Sequence, residues 1–146
     1  MEIQDFITRL LFALLAGLIV GVERQWHHKA AGLRTNTLVS TGSALYVLLS
    51  FQVTAGGGDV TRIIGQVVTG VGFLGGGIIF KAGTTVHGLT TAATVWCSSA
   101  LGCLAAAGLF HETIIATVVV VIINLGFIPL DNWLDKRLSK HAKVKP

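Results

Sequence analysis

Apolar and polar residues alternate in long blocks along the chain, and the apolar blocks form five runs separated by short polar segments. A helix needs about 20 mostly apolar residues to cross a bilayer, and each run comes close to that length. The pattern therefore predicts an all-α, polytopic membrane helix bundle with about five transmembrane helices. The five runs are Phe6–Val22, Thr37–Val53, Ile63–Phe80, Leu89–Phe110 and Thr113–Leu130.

The second run gives the weakest membrane signal, because several hydroxyl residues stand in its first turns. A bundle with four spans, in which this run lies outside the membrane, is therefore the alternative. Composition favours the membrane in either case. Hydrophobic residues make up 52% of the chain and charged residues 12%, and the mean hydropathy is +0.73. Soluble domains carry about 25% charged residues. No basic stripe with interleaved aromatics is present, so we expect no nucleic-acid partner.

The basic residues indicate an orientation. With five spans and an outside N-terminus, the outside segments hold Arg9 and Arg62 and the inside segments hold the other nine basic residues. Cytoplasmic loops of membrane proteins are enriched in Lys and Arg, so the N-terminus is predicted outside and the C-terminus in the cytoplasm. Residues 1–130 then form one transmembrane domain, and residues 131–146 form a short basic cytoplasmic tail.

The third run is unusually rich in glycine. Gly72 and Gly76 form a GxxxG pair, and Gly17 with Gly21 forms another in the first run. Small residues at this spacing allow two helices to approach closely in a membrane. We therefore predict helix packing at these glycines and at the neighbouring Gly75 and Gly77. The alternative is a kinked or broken third helix that lines a site, as in many carriers.

A weak internal repeat relates two segments of the chain. GLRTNTLVSTGSAL (Gly32–Leu45) matches GLTTAATVWCSSAL (Gly88–Leu101) at 7 of 14 positions. We interpret spans one and two as a parallel repeat of spans three and four, with chance similarity as the alternative. Both segments would then begin a helix at the cytoplasmic face. Their threonines and Asn36 would cap those helices or, alternatively, leave the amides free for an anion or a partner's carboxylate.

The same face is predicted to carry a polar cluster. Its alternative is ordinary snorkelling and ion pairing at the end of the first span. The predicted members are Glu23, Arg24, Arg34, Thr35, Asn36, Thr90, Thr91 and Trp96.

Other chemistry is sparse in the sequence. No acidic residue falls in the middle of a predicted span, and the polar groups nearest mid-span are Asn124 and the serines and cysteines of the fourth run. His27, His28 and His87 share one side of the membrane but lack a carboxylate or thiol to complete a metal site. Cys97 and Cys103 read as small buried thiols. We expect no cofactor, no metal site and no enzymatic activity.

Several motifs in order resemble the MgtC/SapB family of bacterial inner-membrane proteins. They are GVERQ, AGLRTNTLVSTGSA, GVGFLGGGIIF and GLTTAATVWCSSALG, which together cover about Gly17 to Gly102. The resemblance implies a multi-pass plasma-membrane protein linked to growth at low magnesium, acid tolerance or survival inside host cells. Longer members of the family carry a C-terminal ACT-like domain, and the resemblance implies that this chain is a short member without it. Many members have Asn at the position of Thr90 and Arg at that of His87, so functions of the virulence-type members are not expected to transfer directly.

Two functions remain open at this point. The first is a membrane protein that modulates magnesium homeostasis, acid tolerance or envelope physiology by packing against itself or another membrane protein. The alternative is a transporter or channel subunit for Mg²⁺ or another small solute, with the repeat forming the path. In both cases the lipid bilayer of the bacterial inner membrane is the expected surrounding.

Overall fold

The residues that the computed structural model describes, 1–53, 59–130 and 133–134, form five α-helices and one short β-hairpin. The prediction of a helical bundle with five helices is confirmed. The helices are α1 (Ile3–Trp26), α2 (Leu33–Val53), α3 (Val60–Ile78), α4 (Leu89–Ala106) and α5 (Phe110–Gly126). Between α3 and α4, strand β1 (Phe80–Ala82) pairs antiparallel with β2 (Thr85–His87).

Three of these helices are long and apolar enough to cross a membrane: Ile3–Trp26, Leu89–Ala106 and Phe110–Leu130, the last extending beyond α5. Helix α2 does not reach this level because it contains many polar residues, and several of these face inward. Asn36, Ser40 and Ser43 are buried, whereas Leu38 and Leu49 of the same helix are exposed. A helix with polar residues inside and apolar residues outside suits the centre of a membrane bundle.

Consecutive helices run in opposite directions. Helix α1 lies antiparallel to α4, because Arg9 near its start contacts Ala106 and Arg24 near its end contacts Thr91. Glycines of α1 lie against the first turns of α2, so α2 and α4 both begin at the end of α1. The two repeat segments therefore start helices at the same end of the bundle, as predicted. We call this the Arg24 end, and the opposite one the Arg9 end.

The basic residues divide between these two ends in the predicted way. Among the described residues, Arg9 and Arg62 lie at the Arg9 end, near the starts of α1 and α3. Those at the Arg24 end are Arg24, Lys29, Arg34 and Lys81. The assignment of the Arg24 end to the cytoplasm stays a prediction from the positive-inside rule. The predicted basic tail, residues 131–146, lies outside the described residues apart from 133–134.

Helices α2 and α4 form the centre of the bundle. Helix α1 packs on both of them from one side, and α3 contacts both as well. Helix α5 packs on α1 and α4. The core is built from small side chains, with Ala13, Ala44 and Ala105 fully buried where α1, α2 and α4 meet. Small residues bring the three backbones close together, which is how helices associate in lipid.

Several predicted boundaries were wrong. Helix α1 continues to Trp26, so Glu23 and Arg24 are helical and not part of a polar loop. Helix α2 begins at Leu33, and Asn36 is inside its first turns instead of capping it. The helical N-cap of α4 is Gly88, whose backbone has φ of +88°, and no side chain caps that end. The polar segment between the third and fourth apolar runs contains the β-hairpin, which the sequence pattern did not indicate.

Candidate functional site

Arg24 is a nearly fully buried charge at the Arg24 end of α1. Its side chain is 2% exposed, and its Nη2 donates a hydrogen bond of 2.9 Å to Thr91 Oγ1 at the start of α4. Its Nε has no hydrogen-bond partner. The hydrogen bond to Thr91 attaches the end of α1 to the beginning of α4. Burying a guanidinium is costly unless it is well paired, and here the Nε donor stays unsatisfied.

Glu23, the residue before Arg24 on α1, is linked to α5 directly and to α4 through Asn124. Its Oε2 accepts a hydrogen bond of 2.9 Å from Asn124 Nδ2 of α5. Thr94 Oγ1 of α4 lies 3.3 Å from Asn124 Oδ1 and donates to it. The second carboxylate oxygen, Oε1, is buried without a hydrogen-bond partner and lies 3.4 Å from His27 Nδ1. Asn124 therefore connects the carboxylate on α1 to a hydroxyl on α4.

Asn36 connects the two central helices. It is fully buried, and its Nδ2 donates to Ala31 O and Gly32 O at 2.9 Å each. Its Oδ1 accepts a hydrogen bond of 2.8 Å from Ser98 Oγ of α4. The side chain thus ties the connection between α1 and α2 to the middle of α4.

Further polar contacts continue from Asn36 toward the middle of the bundle. Ser43 Oγ and Ser99 Oγ share a hydrogen bond of 2.7 Å between α2 and α4. Ser40 Oγ donates to Ala13 O of α1 at 2.7 Å. Together with the groups around Glu23, Arg24 and Asn36, these contacts form a buried polar seam, by which we mean Glu23, Arg24, Asn36, Ser40, Ser43, Thr91, Thr94, Ser98, Ser99 and Asn124.

The structure brings four of the predicted cluster residues into this seam and places four outside it. Glu23, Arg24, Asn36 and Thr91 are buried, and each makes one of the contacts above. The exposed residues are Arg34, Thr35, Thr90 and Trp96. Neither Thr90 nor Thr91 caps α4, since the hydroxyl of Thr91 accepts from Arg24 instead.

Asn124, Thr94 and Ser98 are seam residues that the predicted cluster did not contain. The available signal was a polar residue inside an apolar run, which was clearest for Asn124 in a stretch of Val and Ile. Within the described part of the chain, no three His, Cys, Asp or Glu side chains gather in a way that could hold a metal ion. The seam offers hydroxyls, amides and one pair of buried opposite charges.

The predicted packing glycines fall into two groups. A Cβ at Gly17 would lie 2.7 Å from Asn36 O, and one at Gly21 would lie 2.7 Å from the Cα of Leu33, so both sit flush against α2. Gly75 has only an ordinary contact, 3.7 Å to Ala92 Cβ. The remaining predicted glycines are exposed on α3, and no described residue has an atom within 4 Å of the position of their Cβ: Gly72, Gly76 and Gly77. We call these three the open glycine face.

Comparison with known proteins identifies the family of this chain. The model of the MgtC family matches residues 10–133, which contain all of the seam and the open glycine face. The chain belongs to the MgtC family. It is 46% identical over 134 residues to Protein MgtC of Brucella abortus, covering 92% of this chain and 56% of that protein. It is 45% identical over 120 residues to Protein MgtC of Salmonella typhimurium, covering 82% and 51% respectively.

An uncharacterized protein of Synechocystis is also similar, with 46% identity over 135 residues that cover 92% of this chain and 57% of the relative. The chain thus spans about half the length of the curated MgtC relatives it matches. No solved structure matches it significantly. MgtC-family membership and the apolar helices make this a membrane protein of a family found in bacteria.

Proposed function

We propose that this MgtC-family protein acts in the bacterial inner membrane by packing against itself or another membrane protein, without enzymatic chemistry. Through that contact it would modulate magnesium homeostasis, acid tolerance or envelope physiology, the processes that family membership implies. The open glycine face of α3 supports the proposal more than any other observation.

The argument rests on what glycine does at that face. A glycine inside a helix costs about 1 kcal/mol relative to alanine in water, and it gives no packing surface to lipid. The glycines of α1 are used inside the fold, where α2 occupies the space of the missing side chains. Gly72 and Gly76 have the same spacing but no neighbour in the described chain. A second helix lying on α3 would use them in the way that α2 uses Gly17 and Gly21.

The exposed aromatic next to this face fits the same interpretation. Phe73 is 84% exposed on α3, between the two glycines in sequence. The Phe73 ring projects beside backbone that carries no side chains. Another helix can match this uneven surface more closely than mobile acyl chains can. We therefore assign the contact surface to Gly72, Phe73, Gly76 and Gly77.

A transport function is the second candidate, and the buried charges favour it. Glu23 Oε1 and Arg24 Nε are both buried without hydrogen-bond partners. Ionisable groups inside a membrane bundle commonly mark ion or proton paths. In this candidate the polar seam would guide an ion or small solute from the Arg24 end toward the middle of the bundle.

Association in vesicles separates the two candidates. We expect Gly76→Leu to lower energy transfer between copies labelled beside the open glycine face, or to abolish capture of a membrane partner, while the thermal stability of the purified protein changes little. Ala100→Leu is the matched control, because Ala100 is also a small exposed residue on a helix and lies outside both proposed contact surfaces. Normal association of Gly76→Leu, combined with protein-dependent ion flux that Glu23→Gln removes, would reject the contact function in favour of transport.

A further inference from the structure

A groove lies between α2 and α3 on the outer surface of the bundle. Its volume is about 620 Å³, and its lining is mostly apolar. Two glycines, Gly42 of α2 and Gly70 of α3, line it, and neither has an atom within 4 Å of the position of a Cβ. The groove is a different surface from the open glycine face, so it requires its own explanation.

The internal repeat relates this groove to another part of the molecule. Positions of the two matched segments differ by 56, so Ser43 corresponds to Ser99. These two serines are hydrogen-bonded to each other at 2.7 Å. Equivalent residues of two parallel repeats meet only near a two-fold axis, which therefore runs between α2 and α4 along the helix direction. Under this axis α1 corresponds to α3, and each of these two helices packs on both α2 and α4.

Under this axis the groove between α2 and α3 corresponds to the cleft between α4 and α1, and α5 lies on that cleft. It packs on α1 and α4, the pair that corresponds to α3 and α2. One of its contacts is the hydrogen bond between Asn124 and Thr94, and the repeat equivalent of Thr94 is Leu38, which lines the groove. The cleft between α1 and α4 thus carries a helix. No helix of the described chain covers the corresponding cleft between α2 and α3.

We infer that the groove receives α5 from a second copy of this chain. The direction is correct without any rearrangement, because α2 and α4 run parallel and a copy inserted the same way presents its α5 antiparallel to both. The outer face of α5 is not covered by other described residues, since Thr113 and Thr117 are the buried residues of this helix. Its exposed Ile115, Val118 and Ile122 are bulky side chains that fit a surface interrupted by Gly42 and Gly70.

The geometry also dictates the kind of assembly. The axis places α5 and the groove on opposite sides of one molecule, so a single pair of copies cannot make this contact twice. Such a head-to-tail contact produces a ring if the rotation closes, and an open chain if it does not. Residues of the open glycine face take no part in it, so this inference goes beyond the proposed function and can fail independently of it.

Disulfide cross-linking in native membranes tests the contact. In a background of Cys97→Ala and Cys103→Ala, we would place Leu38→Cys in the groove and Ile122→Cys on the outer face of α5. The repeat pairs the level of Leu38 with that of Thr94, and Thr94 contacts Asn124, which lies two residues after Ile122. We expect mild oxidation to give a ladder of dimers, trimers and larger species when both cysteines are in one chain.

The controls distinguish the alternatives. Leu38→Cys paired with Ile19→Cys, an exposed position on α1, should give no ladder. Dimers from Leu38→Cys alone would mean that two grooves face each other, and they would overturn the proposal. Absence of cross-links in the test pair would overturn it too, leaving lipid or another protein in the groove. A ladder that persists with Gly76→Leu would separate this contact from that of the open glycine face.

Discussion

Asn36 offers the most direct test of the seam. Asn36→Ala removes the two donations to the carbonyls of Ala31 and Gly32 and the acceptance from Ser98. A hydrogen bond within a protein contributes about 1 kcal/mol to the net stability, so the loss of two such bonds amounts to about 2 kcal/mol. Gly32 O keeps the backbone N–H of Asn36, so most of the loss falls on the other two groups. We expect the free energy of unfolding to fall by about 2 kcal/mol, about a 30-fold change in the folding equilibrium.

The measurement is reversible unfolding of the purified protein in mixed micelles, with Thr35→Ala as the matched control. Thr35 is the preceding residue and is exposed, so its change should stay within about 0.5 kcal/mol of wild type. Ser98→Ala should cost about 1 kcal/mol, and the double variant should show a coupling of similar size. Equal stabilities for the Asn36 and Thr35 variants, or strictly additive effects of Asn36→Ala and Ser98→Ala, would refute the assignment of Asn36 as the link between α2 and α4.

Two further predictions concern a glycine contact and a helix cap. Gly102→Ala should destabilise the protein by about 1–3 kcal/mol, because its Cβ would meet the backbone of α2, whereas Gly126→Ala should be nearly neutral in the same thermal unfolding assay. The pKa of Asp59 lies below its ordinary value. The largest cause is the hydrogen bond that the Thr61 hydroxyl donates to the Asp59 carboxylate, and the next is the hydrogen bond from the Thr61 backbone N–H. Stabilisation of the first turn of α3 should therefore be complete above the ordinary aspartate pKa and lost as pH falls through the lower folded value; hydrogen exchange should show this loss in wild type and none in Asp59→Ala.

The helices could be predicted from the sequence because their apolar runs are long, and their ends could not because tertiary contacts decide them. The residues after Val22 are polar and are typical of a loop. In the structure α1 continues through them, since Glu23 and Arg24 find partners on α5 and α4. The partner of Glu23 is 101 positions away in the chain and that of Arg24 is 67 positions away, so no local sequence pattern indicates these contacts.

The cluster was only half predictable for a related reason. Neighbouring residues of a helix point about 100° apart, so a run of polar letters cannot lie on one face. Asn36 and Thr91 turn inward, while Thr35 and Thr90 beside them turn outward. The repeat indicated that both threonine-containing segments begin helices at one end of the bundle, but it could not choose among consecutive residues at that end.

The inward-facing polar side chains of α2 have a consequence for how the protein is made. A segment whose hydroxyls and amide need partners on α1 and α4 gains little from entering lipid alone, and α2 is not among the helices apolar enough to do so by composition. Its insertion is therefore coupled to its neighbours. Helix α1 pairs with it as the first half of a hairpin, and α2 obtains its remaining partners only after α4 has been synthesised, more than fifty residues later.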